Sequence, residues 1–416
     1  MWRCWSMKRV ILIILACLLV AFPNIAFSET VEVTFLTLFT GGEGYIMTSL
    51  IEQFNKEQSE IVVVEQPVEW GEYYNKLLAA MVAGNPPDIG VMHLSTLPDY
   101  VERGTLTPVD NYISDELKND YLENIRNSVT FDNQMYALPL DTHPIVLYYN
   151  KSVLKEAGLV DENGEITLPK TFEEFYDSCK QIKEKTGKYG LSIEDLNCLG
   201  ERLWLTIYRN LGGKLEDENG VFTIQKDIAI KTYEEILKFY KEELTTFVTY
   251  ETARALFISG EAGFTIDGVW AMAAYDEMGV LDEMGVTIVP PFSFTEKPYV
   301  WGDSHTLIFP KKSGMDEEKL KAAITFAEWL VSHSYEWAKA GHLPVVKSVR
   351  ESEEFLGLPL RSDYMLAAEY AFIPQVKGWN EIKDKLVELG QGVALGEITP
   401  EQAANELIDT VHRVVK

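Results

Sequence analysis

The fold of this 416-residue chain is decided by residues 31–92, VEVTFLTLFTGGEGYIMTSLIEQFNKEQSEIVVVEQPVEWGEYYNKLLAAMVAGNPPDIGVM. Three runs rich in β-branched and apolar residues predict strands, at 31–39, 61–68 and 88–92. Two segments with helical spacing of apolar residues predict helices, at 43–57 and 72–83. Strands that alternate with helices pair in parallel, so this stretch predicts an open α/β sheet with helices on both faces.

The rest of the chain also mixes strands and helices. Further strands are predicted at 136–140, 145–149, 263–266, 286–289 and 306–309, with a break at 141–144 between the first two. Further helices are predicted at 171–186, 201–210, 226–241, 252–259, 316–333, 335–341, 363–372, 379–395 and 400–415. Because no Gly/Ser-rich linker interrupts the pattern, we expect two lobes joined by short hinges. These hinges are expected at 138–144, 297–301 and 343–347.

The composition describes a folded and strongly acidic protein. Apolar residues make up 46% of the chain, and 64 Asp+Glu against 37 Lys+Arg give a net charge of −27. Such a surface repels phosphate backbones and anionic lipid. The charge therefore argues against nucleic-acid binding and against binding to membrane surfaces.

The N-terminus has the layout of a secretory signal peptide over residues 1–28. Arg3, Lys8 and Arg9 precede a 13-residue apolar run at 10–22, and the small-x-small triplet Ala26–Ser28 follows. The run is shorter than the roughly 20 residues of a membrane-spanning helix, which disfavours a permanent anchor. We expect cleavage between Ser28 and Glu29, and removal of the three basic residues then takes the net charge to −30.

Cysteine usage fits an exported protein without a disulfide framework. A lipoprotein would use Cys17, but the apolar run continues past that residue. After cleavage only Cys179 and Cys198 remain. One disulfide between them is possible, but Cys179 lies on the apolar face of a predicted helix, which favours two buried thiols.

Motifs of common enzyme classes are absent from the sequence. It contains no G-x-S-x-G, Walker A, H-E-x-x-H or Cys-x-x-Cys pattern. The glycines at 41–44 lack dinucleotide spacing. Three histidines flank predicted strands and could converge, His93, His143 and His305. Loop histidines of this kind more often form hydrogen bonds than bind metal, so neither a metal nor a cofactor is predicted.

Polar and aromatic side chains instead collect where predicted strands end, which is where open α/β sheets bind ligands. The candidates are Glu43, Trp70, His93, Ser95, Asp141, His143, Asp267, Trp270 and Asp303. Trp379, after Ile373-Pro374 and before a helix, is a further candidate, and Trp301 could serve a hinge or a ligand. Flat aromatic faces together with planar hydrogen-bonding groups are what sugars need.

The chain resembles the extracellular solute-binding proteins of ATP-binding-cassette (ABC) importers, in the oligosaccharide-binding branch related to maltose-binding protein. The resemblance covers essentially all of the mature chain and rests on the order of several short motifs. These are Trp70 through Asn85-Pro86-Pro87-Asp88-Ile89, 104–110, 136–139, 147–151, 154–159, 169–175, Gly212-Gly213 and 260–270.

The resemblance implies a two-lobe periplasmic-binding-protein fold of type II with ligand between the lobes. We predict lobe one at 29–139 plus 298–344, and lobe two at 140–297 plus 345–416. Matching positions imply sugar contacts from Glu43, His93, Ser95, His143 and Trp270, with Trp379 approximating a late aromatic. The residues 92–96 differ from the maltose-binding pattern, which argues against maltose itself but not against a carbohydrate.

The sequence thus predicts a monomeric, non-enzymatic periplasmic protein that captures a sugar or oligosaccharide by hinge closure for a membrane permease. One alternative is a cationic ligand such as a polyamine, which Asp141, Asp267 and Asp303 would suit. A less favoured alternative is a secreted glycosidase that uses two of those carboxylates.

Overall fold

A computed structural model describes residues 30–195, 199–314 and 316–415. The first sheet has five strands, β1 Val31–Thr37, β2 Ile61–Pro67, β3 Ile89–His93, β6 Ala137–Pro139 and β12 His305–Ile308. Their order across the sheet is β2-β1-β3-β12-β6. β1 pairs in parallel with β2 and β3, as the alternating pattern predicts, whereas β12 runs antiparallel to β3 and β6.

The second sheet is built around β7 (Asp141–Asn150). Its order is β14-β11-β7-β9-β8, and β10 and β13 also pair with β7. The other strands are β8 Tyr189–Ser192, β9 Ala262–Gly268, β10 Met284–Thr287, β11 Val300–Asp303, β13 Leu343–Pro344 and β14 Ala371–Phe372, while β4 Thr130–Phe131 and β5 Gln134–Met135 form a separate hairpin. β7 therefore pairs with four different strands, which buries it on both sides.

Helices cover both sheets, and each predicted helix is present with its start within two residues of the expected one, whereas seven short helices were not predicted. They are α1 Gly41–Glu57, α2 Trp70–Val82, α3 Leu97–Glu102, α4 Asp115–Asp120, α5 Glu123–Ser128, α6 Lys151–Glu156, α7 Phe172–Thr186, α8 Leu199–Asn210, α9 Lys226–Lys241, α10 Tyr250–Ile258, α11 Met272–Glu277, α12 Glu317–Ser332, α13 Ser334–Ala338, α14 Lys347–Arg350, α15 Glu353–Leu356, α16 Arg361–Glu369, α17 Trp379–Ala394 and α18 Pro400–Val414. Short 3₁₀ turns lie at 94–96, 269–271 and 281–283. The hydroxyl of Thr171 caps α7 by accepting from the Glu174 amide, as its position predicts.

Each sheet has its own apolar core. The first core combines residues from 33–140 with residues from 307–349. The second core draws on residues from 145–301 and 379–411. A third, smaller cluster is formed by residues between 146 and 367, and Ile288 packs against both. Cys179 is a buried free thiol in the second core, while Cys198 lies outside the described residues. The exact lobe boundaries predicted above stay a prediction.

The chain passes between the sheets at three places. β6 of the first sheet leads through Leu140 directly into β7 of the second. β11 of the second sheet leads through Ser304 into β12 of the first. The third passage precedes β13, whose Leu343 pairs with Thr142. The first passage falls at an expected hinge, and the third directly precedes the expected hinge at 343–347. The second lies after 297–301, because Val300 and Trp301 pack in the second core.

The predicted break at 141–144 is wrong, because β7 continues through it without interruption. Pro144 lacks an amide hydrogen, but it sits near the start of the strand, opposite Gly302 of β11. Pairing with several neighbours outweighs the local preference of one proline. Separately, within the described ranges no helix is both long and apolar enough to cross a bilayer.

Gly341 fixes the third passage, and its substitution is a test of how tightly that passage is packed. Its φ is +109°, and an added Cβ would lie 1.8 Å from the carbonyl oxygen of Val269. We expect Gly341→Ala to lower the free energy of unfolding by about 3 kcal/mol or more, measured by denaturant titration. The matched control is Gly220→Ala, where φ is +76° and no atom lies within 4 Å, with an expected loss of about 1 kcal/mol. Equal losses would contradict the close approach.

Candidate functional site

The carboxylate of Asp141 lies at the centre of the three passages and is completely buried. Its Oδ1 lies 2.9 Å from His143 Nδ1 and accepts from the His305 amide at 3.0 Å. Its Oδ2 lies 2.8 Å from His305 Nδ1 and accepts from Trp337 Nε1 at 2.7 Å. One charged group thus joins β7, β12 and α13.

His342, in the third passage, connects Asp141 to lobe one. Its Nε2 lies 3.0 Å from Glu43 Oε2 at the start of α1, and its Nδ1 lies 3.2 Å from Asp141 Oδ2. The ring stacks on Trp337 at 4.3 Å between centroids. Because the Glu43 carboxylate can only accept, His342 Nε2 must carry the hydrogen of that contact.

The imidazole rings predicted to converge do converge. His143 and His305 stack with centroids 4.1 Å apart, and His93 lies 4.9 Å from His305 and 5.4 Å from His143. The Nδ1 of His93 is 2.8 Å from the Tyr74 hydroxyl, and the Trp70 ring meets His93 edge-on at 4.9 Å. β3 therefore brings His93, backed by α2, against the residues of the passages.

Burial and charge divide the protonation states of these groups. Burial tends to raise the pKa of the Asp141 carboxyl, but the neighbouring histidines outweigh it and hold that pKa well below its usual value. Burial lowers the pKa of His143 to about 3 and that of His93 well below its usual value. For His305, burial acts downward, yet Asp141 raises the pKa above the usual value. Asp141 is therefore ionised, and His143 is neutral, at neutral pH.

A second buried carboxylate lies on the neighbouring passage. Asp303, the last residue of β11, accepts from the hydroxyl of Ser95 at 2.5 Å and from its amide at 3.1 Å. Burial raises the pKa of Asp303 despite these hydrogen bonds. Ser95 belongs to the turn after β3, so this contact ties the second sheet to the first.

Lobe two contributes aromatic rings and a guanidinium. The Trp270 ring lies 5.7 Å from His143, and the Arg202 guanidinium lies 4.9 Å from the Trp270 ring and 4.3 Å from the Trp301 ring. Trp270 packs over Gly268, where an added Cβ would lie 2.0 Å from the indole. Glycine is therefore required for this ring position. The Trp270 Nε1 donates to the Tyr250 hydroxyl at 3.2 Å, which fixes the ring plane.

Several polar atoms beside these rings are buried without a hydrogen bond. Within the part of the chain that the structure describes, neither carboxyl oxygen of Glu201 nor the Nε1 of Trp301 has a partner. Burial raises the pKa of Glu201 to about 7, and Arg202 and Lys383 oppose that rise. Buried polar groups are nearly always hydrogen-bonded in proteins, so these atoms lack a partner that such groups normally have.

Two predicted residues have other surroundings. The Asp267 carboxylate is held by Arg254 at 3.1 Å and by the hydroxyls of Tyr250 at 2.9 Å and Tyr275 at 3.2 Å. Tyr250 links Asp267 to Trp270, because its hydroxyl contacts the Asp267 carboxylate and also accepts from the Trp270 Nε1. Trp379 is 2% exposed in the second core, with the Phe222 ring at 6.2 Å. Its ring is therefore buried in the core rather than open to solvent.

Sequence reasoning did not select Glu201, Arg202 or His342. Glu201 and Arg202 open α8 and read as part of an ordinary helix, so no local signal marks them. His342 directly precedes an expected hinge at 343–347, and that position is a signal that could have found it. Trp337 is buried in the first core, and in addition it donates to Asp141.

Comparison with known proteins gives a consistent result. Residues 40–337 match the family profile described as bacterial extracellular solute-binding protein. A putative binding protein of Brucella abortus is 22% identical over 87% of this chain and 88% of its own length. The maltotriose-binding protein of Pyrococcus abyssi is 24% identical over 76% of this chain and 66% of its own length.

Among solved structures, the GacH receptor of Streptomyces glaucescens, studied unliganded and with acarbose, superposes with a TM-score of 0.82. It is 22% identical, and the match covers 93% of this chain and 99% of the receptor. At this identity the likeness shows the fold. The predicted two-lobe α/β fold class is confirmed.

Removal of the Asp141 carboxylate tests its role at the passages. Asp141→Ala would leave the buried donors of His305 and Trp337 without their acceptor. We expect the free energy of unfolding to fall by about 3–5 kcal/mol, measured by denaturant titration. Asp115→Ala, at a side chain that is 94% exposed, is the control and should change stability little. Similar stabilities of the two variants would contradict the central role of Asp141.

Proposed function

The chain belongs to the bacterial extracellular solute-binding proteins, and we propose that it captures an oligosaccharide between its lobes for an ABC importer. The observation that carries this proposal is the convergence of aromatic faces with unpaired polar atoms at the passages. Trp270, which is partly exposed, supplies an aromatic face, and Glu201 and the Nε1 of Trp301 supply the unpaired polar atoms. Sugars need both, because their C–H surfaces pack on rings while their hydroxyls demand hydrogen bonds.

The proposed binding residues come from both lobes. Glu43, Trp70, His93 and Ser95 follow strands of the first sheet, and Asp141, His143 and Asp303 lie at the passages. Trp270 of lobe two lies beside His143. Asp267 supports Trp270 through Tyr250, and Trp379 is buried in the second core. The maltotriose-binding relative and the acarbose-binding receptor support an oligosaccharide rather than a small ion.

Because the proposed binding residues are divided between the two lobes, we expect the lobes to close around a ligand. Asp99 of α3 accepts from the Gly378 amide at 2.7 Å, and Lys377 pairs with Glu102 at 2.7 Å, so the segment before α17 touches lobe one. A ligand that contacts both lobes stabilises the arrangement in which these contacts form. We propose that a membrane permease recognises that closed form of a monomeric protein.

A non-enzymatic role agrees with the carboxylates of the site. Asp141 accepts from several protein donors, and Asp303 is bound by Ser95, so neither is placed as a free acid or nucleophile. Asp267 is already paired with Arg254, which leaves it unsuited to a polyamine ammonium group. Neither the family nor the named relatives support the glycosidase and polyamine alternatives.

Binding of an oligosaccharide, and its dependence on Trp270, is the direct test. In a calorimetric panel of maltodextrins, other oligosaccharides and polyamines, we expect at least one oligosaccharide to bind and the amines not to. Trp270→Ala should weaken that binding by about 5- to 150-fold, equivalent to about 1–3 kcal/mol, because a stacking face is lost.

Trp329→Ala is the matched control, since that tryptophan stacks on His333 of lobe one outside the site. It should leave affinity unchanged. Near-normal affinity of Trp270→Ala with a large fall in melting temperature would show that Trp270 is a core residue. Binding of amines alone would overturn the sugar proposal.

Export is proposed from the N-terminal sequence, which lies outside the described residues. We expect the protein recovered from the periplasm or the medium to begin at Glu29, because the cleavage site follows Ser28. Intact mass spectrometry measures this. A retained N-terminus, or an added lipid mass at Cys17, would contradict it.

A further inference from the structure

Four side chains at the passages, two of them also proposed sugar contacts, form a set with the composition of a metal site. Asp141, His143, His305 and His342 each offer one ligand atom, and these atoms lie within 4.8 Å of one another. All four residues are buried. We refer to them as the passage cluster. They come from all three passages, because β7 supplies two, β12 supplies one and the segment before β13 supplies the fourth.

The contact between His342 and Asp141 is the unusual feature of the passage cluster. His342 is completely buried, and its Nδ1 has no hydrogen-bond partner within the described ranges, although it points at Asp141 Oδ2 from 3.2 Å. The Nε2 of the same ring donates to Glu43. In the neutral ring the Nδ1 therefore carries a lone pair that faces a carboxylate oxygen. Two acceptors at this distance call for a cation between them.

The arrangement around His342 is typical of a metal ligand. Histidines that bind metals commonly donate their other ring hydrogen to a carboxylate, which fixes the tautomer and the ring orientation. Glu43 does this for His342 at 3.0 Å. The Trp337 indole and the His305 amide likewise hold the Asp141 carboxylate in place.

The donor set selects the class of ion. Three imidazole nitrogens and one carboxylate oxygen suit a tetrahedral Zn²⁺ site, whereas Ca²⁺ takes six to eight oxygens. Ligand atoms bound at about 2.0–2.1 Å to one tetrahedral ion lie about 3.3 Å apart. The distances from Asp141 Oδ2 to His305 Nδ1 and His342 Nδ1, 2.8 and 3.2 Å, are already close to this value, and His143 Nδ1 lies 2.9 Å from the other carboxylate oxygen, Oδ1. The nitrogens would only need to draw together.

From this geometry we propose that the passage cluster binds a divalent transition metal of the Zn²⁺ type. Such an ion would connect all three passages and thereby restrict the relative movement of the lobes. It does not depend on the identity of the sugar, because none of the four ligands needs a bound solute. The competing arrangement is an imidazolium at His342 that bridges Glu43 and Asp141 with two N–H donors.

The test uses the untagged mature chain after removal of metals with a chelator. Titration with ZnCl₂ in a calorimeter should give one ion per chain. Co²⁺ should produce the visible absorption of a tetrahedral site, and Zn²⁺ should displace it.

Two variants and one control locate the site. Both His342→Ala and Glu43→Gln should weaken Zn²⁺ binding, the latter by about 10- to 100-fold because it replaces the carboxylate that orients His342 with a neutral, weaker acceptor. His412→Ala, at an exposed histidine of α18, should bind like the unaltered chain. Absence of Zn²⁺ binding, or equal affinity in His342→Ala and the unaltered chain, would overturn the proposal in favour of the imidazolium bridge. Glu43→Gln keeps the test decisive if His342→Ala does not fold.

Discussion

The rest of the structure depends on one buried carboxylate, Asp141, placed where the chain passes between the two sheets. A buried charge without partners costs several kcal/mol, so its surroundings must supply donors. Here the His305 amide and the Trp337 indole donate to it, the ring nitrogens of His143 and His305 lie within 2.9 Å, and the three residues lie on different elements. The charge therefore fixes how β7, β12 and α13 meet. Any displacement of one passage would leave a charge or a donor unpaired in the interior.

This constraint explains why the two lobes have separate apolar cores and yet are joined to each other at the three passages. Each sheet buries its own apolar residues, so each lobe is stabilised by itself. Polar contacts predominate at the passages, where Ser95 meets Asp303 and Glu43 meets His342. Polar contacts depend on direction and distance, whereas apolar packing does not to the same degree. Under the proposed function, these passages are where a bound solute or ion would select one arrangement.

The aromatic part of the site relies on backbone features. Trp270 can lie beside His143 only because Gly268 leaves room for the indole, and Tyr250 then holds its Nε1. Asp267 supports Tyr250 from behind. A residue that looks from the sequence like a ligand contact thus supports the side chains around Trp270. The residues with unpaired polar atoms, such as Glu201, lie on a helix whose pattern gives no sign of them.

The sequence by itself determined the elements whose signals are local. The helix 226–241 has the predicted bounds, because periodicity is set within a few turns. Parallel pairing of β1 with β2 and β3 follows from the strand–helix alternation alone. The convergence of His93, His143 and His305 was also predictable, since each flanks a strand end.

Tertiary structure decided what depends on distant partners. β7 continues through Pro144 because four other strands pair with it, and no property of the segment 141–144 contains that information. His342 joins Asp141 although 201 positions separate them in the sequence numbering. Trp379 begins a helix, as predicted, yet its ring is buried against Phe222, because packing in the second core decides where the side chain points. Long-range burial and charge pairing, which a single sequence does not encode locally, made these choices.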